Sequence, residues 1–137
     1  EIEGESGFRE REQRMIAELC AKPSVVLGTG GGAILRQANR EALQKTGWVV
    51  YLFTSPERLI NRTRHDKNRP LLQTGDPLAT LTELYQARHP IYDELADIVI
   101  STGAGHVTHV VASIIEQLIA RVGKNLHQTP NTSTPNT

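Results

Sequence analysis

The 137 residues suffice for one domain at most, and 15 Lys and Arg cancel 15 Asp and Glu. With no net field, neither nucleic acid nor an acidic membrane surface is indicated as a partner. The single cysteine excludes an internal disulfide framework, and a chain without a secretory signal, lipidation motif or long apolar run is expected to be soluble and cytoplasmic.

Phe8 to Leu19 reads as an amphipathic helix, with Phe8, Ile16, Leu19 and Cys20 mostly on one side and charges opposite. Cys20 in that stripe reads as an inert buried thiol. Lys22-Pro23 ends the helix, and Ser24 to Leu27 is a continuous apolar run of the kind expected for a buried parallel strand. Gly28-Thr29-Gly30-Gly31-Gly32 follows, then a helix-like segment from Ala33 to Lys45. Glycine lets a backbone approach a ligand without a Cβ in the way. A glycine run at the carboxyl end of a strand lies where open α/β sheets bind their ligands. The glycines alone fit a bare strand-to-helix turn equally well.

Gly47 is placed to cap that second helix, and Trp48 to Phe53 forms the next strand. Ser55-Pro56-Glu57 supplies a capping hydroxyl, a proline at the first helical position and an acid near the positive dipole end. Thr63 to Gln73 is polar and basic, as an exposed segment would be. Asp76-Pro77 starts a helix through Leu78, Leu81, Leu84 and Tyr85. Ile98 to Ile100 gives a third strand and Val107 to Val122 a final apolar-rich helix. His127 to Thr137 lacks apolar residues and reads as disordered. Strands alternating with helices predict an α/β fold with a parallel sheet.

Four motifs stand in order along this frame: Glu3-Gly4-Glu5 with Phe8, Arg9 and Glu12; Thr29-Gly30-Gly31-Gly32; Arg69-Pro70-Leu71-Leu72; and Arg88 with Pro90 and Tyr92. Together they resemble shikimate kinase, a small P-loop kinase of the nucleoside-monophosphate-kinase type, from Glu1 to about Val122. The resemblance implies a three-layer P-loop kinase fold with a parallel sheet, here without its first two strands and phosphate loop. The only Gly-Lys, Gly123-Lys124, is followed by Asn125 rather than Ser or Thr. Residues 1–124 then correspond to the carboxyl-terminal two-thirds of the domain, with a lid at about 63–76 and a tail at 125–137. The amino-terminal third, with the central strand and the catalytic aspartate, is expected to be missing. By themselves these residues are expected to be inactive and not to form a stable monomer, the complete protein being a monomer.

The resemblance also implies roles. Arg9 and Arg88 match the arginines that grip the shikimate carboxylate, a task suited to a planar fork of donors that never loses its charge. Gly30, Gly31 and Gly32 match the glycines whose backbone approaches the ring hydroxyls. Arg69 matches the lid arginine that closes over the ATP phosphates and stabilises charge in transit. Arg62 matches a position that stacks on adenine, and the loop from Thr102 through Gly105 to His106 borders it from the other side. ATP and shikimate are the implied ligands. Mg²⁺ is the implied metal, its ligand expected in the absent segment rather than among these residues. His106 and His109 read as surface residues, having no acidic or cysteine companion. The implied reaction converts ATP and shikimate to ADP and shikimate 3-phosphate, toward chorismate and the aromatic amino acids. A related small-molecule kinase of the gluconate kinase kind and a non-catalytic remnant are the alternatives.

Overall fold

A computed structural model of the chain describes residues 4–63, 75–103 and 105–127. Arg69, most of the expected lid and the last ten residues, 128–137, lie outside the described residues.

Helix α1 (Gly4–Cys20) begins ahead of Phe8. Its buried residue is Ile16, with Leu19 and Cys20 half-buried, whereas Phe8 is 52% exposed. Eight residues at about 100° each put Phe8 roughly 80° round the helix from Ile16, so it falls off the apolar stripe. Ser24 follows in the left-handed region at φ 56. Val25 to Gly30 then belongs to no regular element, with Val25 and Val26 exposed. The expectation of a buried strand at 24–27 is therefore not met. A strand needs a neighbour for its backbone groups, and the sheet among the described residues contains two other strands only.

The helix-like segment from Ala33 to Lys45 divides in two. A 3-10 helix (Gly31–Leu35) buries Gly32, Ala33 and Ile34, and Arg36 is extended before helix α2 (Gln37–Thr46). The junction is held by side chains of α2. Asn39 Nδ2 donates to the Ala33 carbonyl at 2.9 Å and Arg40 Nη1 to the Ile34 carbonyl at 2.7 Å. Asn39 is 1% exposed, so its amide takes up a carbonyl that would otherwise be buried unpaired. Across the surface, Arg36 Nη1 bonds Glu10 and Gln13 of α1 at 2.8 and 2.9 Å.

Strands β1 (Val50–Phe53) and β2 (Ile98–Ser101) pair in parallel, in the register Val50 with Ile98 through Phe53 with Ser101. The sheet starts two residues later than expected from Trp48, which is 40% exposed. Asp97 sets the start: its Oδ2 accepts from the Val49 N–H at 2.7 Å while the Val49 carbonyl accepts from Asp97 and Ile98. Ile98 and Ile100 of β2 are core residues, with Leu95, Ile16, Ala33 and Ile34.

Helix α3 (Pro56–Thr63) starts where the Ser-Pro-Glu signal places it, with Ser55 Oγ accepting from the Arg58 N–H at 3.3 Å. Helix α4 (Pro77–Leu95) likewise starts with Asp76 Oδ1 accepting from the Ala79 N–H at 3.1 Å. It takes in Leu78, Leu81, Leu84 and Tyr85 and runs on through Pro90. An internal proline removes one hydrogen bond and costs about 3 kcal/mol; the turns around it offset that by burying Leu95 and stacking aromatic rings. Helix α5 (Val107–His127) packs on β2 and passes Val122. No helix of the described residues is long and apolar enough to cross a membrane.

Candidate active site

The glycine turn lies where two helices bring their arginines. Gly30 is extended, and its carbonyl accepts from the Ala33 N–H at 3.2 Å, which opens the 3-10 helix. The Gly31 and Gly32 N–H groups precede that bond and have no partner inside the helix. A Cβ at Gly31 would stand 3.1 Å from Arg88 Nη1 and 3.1 Å from Tyr92 Oη. A Cβ at Gly32 would overlap the Arg9 guanidinium. Gly30 is farther off, its Cβ position lying 3.9 Å from Glu12 Oε2. Arg9 of α1, Arg88 of α4 and Gly31-Gly32 thus converge: a side chain would crowd Arg88 at Gly31 and overlap Arg9 at Gly32.

Arg9 is held rather than free to swing. Its Nη1 donates to Glu12 Oε1 at 2.8 Å, and the two side chains are 20% and 13% exposed. Glu5 lies at 4.0 Å and the Phe8 ring centroid 5.2 Å from the guanidinium carbon. Both terminal nitrogens of the fork lie against Gly32, Nη2 nearest, and Nη1 also bonds Glu12, so Glu12 orients the cation where it meets the glycine. Arg88 and Tyr92 sit one turn apart on α4, and the Tyr92 hydroxyl donates to the Gly31 carbonyl.

Behind Tyr92 is an aromatic cluster. The Tyr51 ring lies 4.9 Å from that of Tyr92 and the Phe53 ring 5.9 Å from that of Tyr85. His89 stacks on Tyr85 at 4.7 Å, and its Nδ1 shares a 3.1 Å hydrogen bond with Tyr51 Oη. Burial first, then the charges of Tyr85, Tyr92 and Asp93, push the Tyr51 phenol up to about 12. A folded value above the unfolded one means the neutral phenol stabilises the fold. That stabilisation is complete below about pH 10 and is lost as the pH rises through about 12. An ultraviolet pH titration is expected to contain a late tyrosine component near pH 12 that Tyr51→Phe removes; an unaltered titration in that variant contradicts the assignment.

A second grouping lies at the carboxyl end of β2. The Arg62 guanidinium of α3 donates to the Thr102 carbonyl and, at 3.4 Å, to its hydroxyl. The Thr102 N–H in turn donates to the Phe53 carbonyl at 2.8 Å. Gly103 faces the Arg58 guanidinium, and Gly105 turns the chain at φ +104, where an L side chain is strained. Arg62 and Thr102 are brought together, whereas none of the described residues approaches the Cβ position of Gly105 within 4 Å. His106 Nδ1 accepts from the Thr108 N–H at 3.3 Å, and among the described residues no group of three His, Cys, Asp or Glu could hold a metal ion.

The profile of the shikimate kinase family matches residues 1–119. The chain belongs to the shikimate kinase family. It is 63% identical over 102 residues to the shikimate kinase of Thiobacillus denitrificans, a match covering 74% of this chain and 56% of that protein. It is 57% identical over 116 residues to that of Pseudomonas entomophila, covering 85% of this chain and 67% of that one. A solved shikimate kinase from Acinetobacter baumannii, in complex with shikimate, superposes with a TM-score of 0.80 at 43% identity over 87% of this chain and 66% of its own. The chain thus spans between 56% and 67% of these relatives.

Within the shikimate kinase frame, Glu12, Tyr51, His89 and Tyr92 have roles that sequence reasoning did not assign. The signal for Glu12 was present, since an acid three residues beyond Arg9 on a helix shares its face. Tyr85, Arg88, His89 and Tyr92 likewise fall at helical spacing. Their partners across space are set by the sheet, through Tyr51 and Phe53 at a strand spacing of two.

Proposed function

We propose that the protein transfers the terminal phosphoryl group of ATP to a hydroxyl of shikimate, giving ADP and shikimate 3-phosphate, a step toward chorismate. The carrying observation is the convergence of Arg9 and Arg88 on Gly31-Gly32. Two guanidinium forks, one already oriented by Glu12, suit the single carboxylate of shikimate. The adjacent backbone, with no side chain in the way, suits the close approach of a hydroxylated ring. That arrangement favours shikimate over a substrate without a cyclic carboxylate, as a gluconate-type kinase would take.

Arg62 and Thr102 form the nucleotide side, the guanidinium plane offering itself to adenine as a flat cation to a π face. Gly105 shapes the same loop through its backbone. Arg69 is proposed as the lid arginine that neutralises charge on the phosphoryl group in transit. Mg²⁺ would shield the ATP phosphates; no group of three His, Cys, Asp or Glu among the described residues could hold it. No residue among the 137 follows the GxxxxGK[ST] pattern, so the phosphate cradle is assigned to none of them.

The test is a coupled ADP-release assay on the full-length gene product with a panel of hydroxylated acids. Shikimate-dependent turnover is expected. Turnover of gluconate but not shikimate supports the related-kinase reading, and turnover of neither contradicts both.

A further inference from the structure

We propose that Tyr92 is a positioning residue for the substrate: its hydroxyl fixes the Gly31 carbonyl and so holds the glycine turn against Arg88. The inference rests on the kinase reading above and concerns a residue to which that reading gives no role.

Consecutive glycines are the least constrained backbone a chain can offer, so a ligand that binds through Gly31 and Gly32 must bear the cost of ordering them unless the protein has done so already. On one side the turn is already anchored by Asn39 at the Ala33 carbonyl and Arg40 at the Ile34 carbonyl. Both bonds lie beyond the residues that face the arginines. At Gly31 itself the anchor is Tyr92, whose hydroxyl donates to the Gly31 carbonyl. The hydroxyl and Arg88 Nη1 stand equally close, 3.1 Å each, to the point where a Gly31 side chain would begin. One helical turn of α4 therefore presents the cation and anchors the backbone beside it.

The tyrosine is itself braced. Its ring lies 4.9 Å from that of Tyr51, and Tyr51 is pinned by its strand and by the hydrogen bond to His89 on the same helix. A ring so supported has little freedom to leave the carbonyl. Preorganised donors supported by a locked neighbour are what a precise site needs.

The experiment uses the full-length gene product. Shikimate titrated into the unaltered protein comes first, and failure to bind there overturns the shikimate reading and this inference together. Given binding, Tyr92→Phe keeps the ring and removes the hydroxyl. The shikimate KM is expected to rise about tenfold, the size of one lost hydrogen bond with its partner left unpaired. The kcat and the KM for ATP should stay within about twofold. Gly31→Ala and the double variant supply the coupling: a tyrosine that acts through Gly31 makes the double variant no worse than the more severe single one. An unchanged shikimate KM in Tyr92→Phe overturns the proposal while leaving the kinase reading intact. Fully multiplicative effects overturn it too, because Tyr92 would then act independently of Gly31. Loss of a cooperative melt in Tyr92→Phe does the same, by making the hydroxyl a fold requirement.

Discussion

Gly32→Ala is expected to weaken shikimate use by about thirty- to a hundredfold in kcat/KM while leaving the fold intact, the loss of a charged hydrogen-bonding partner being worth roughly 2–3 kcal/mol. The added methyl would occupy the space of the Arg9 guanidinium. The collision partner is the far end of the Arg9 side chain, so the conflict is resolved by displacing the guanidinium from its contact with Glu12 rather than by moving the backbone. Gly32 lies in a 3-10 helix and not in the left-handed region, so alanine is conformationally acceptable there. The expected pattern is thus a melting temperature within a few degrees of the unaltered protein and a poor substrate interaction. Unchanged kinetics in the full-length gene product would place Arg9 outside the site. A collapse in melting temperature would show that Gly32 serves packing instead.

Arg88→Lys isolates the second cation. The charge remains, but the planar fork that can grip both oxygens of a carboxylate is lost. A cost of about 2 kcal/mol is expected, close to thirtyfold in kcat/KM. It should disappear for a shikimate analogue without the carboxylate, since the unaltered enzyme also lacks the contact there. Equal loss for both substrates would mean that Arg88 supports the helix rather than the ligand.

How much of this was legible in the sequence differs from element to element. Helix starts were well marked, because Ser55 and Asp76 cap locally and each stands before a proline. Motif order singled out Arg9 and Arg88, and the folded chain brings Arg9 beside Gly32 and Arg88 beside Gly31. The run from Ser24 to Leu27 misled, since an apolar stretch becomes a strand only with a neighbour to pair with. Pro90 lies inside a helix that the sequence marked only as far as Tyr85. Local rules end a helix there, whereas tertiary packing of Tyr85, His89 and Tyr92 on Tyr51 and Phe53 carries it onward. That continuation puts Arg88 and Tyr92 on one helical face. The aromatic cluster and the Asn39 clamp were not legible, because each depends on partners that only the folded chain brings close.

The central claim is that Arg9 and Arg88 converge on Gly31-Gly32 to hold the carboxylate of a hydroxylated ring. Calorimetric titration of the full-length gene product with shikimate and with its methyl ester tests it most directly, because the two ligands differ at the carboxylate alone. Removing one charged, bidentate partner is expected to weaken binding by about thirtyfold or more. In the Arg88→Lys protein the gap between the two ligands should narrow. Equal affinity for acid and ester in the unaltered protein would contradict the assignment of both arginines.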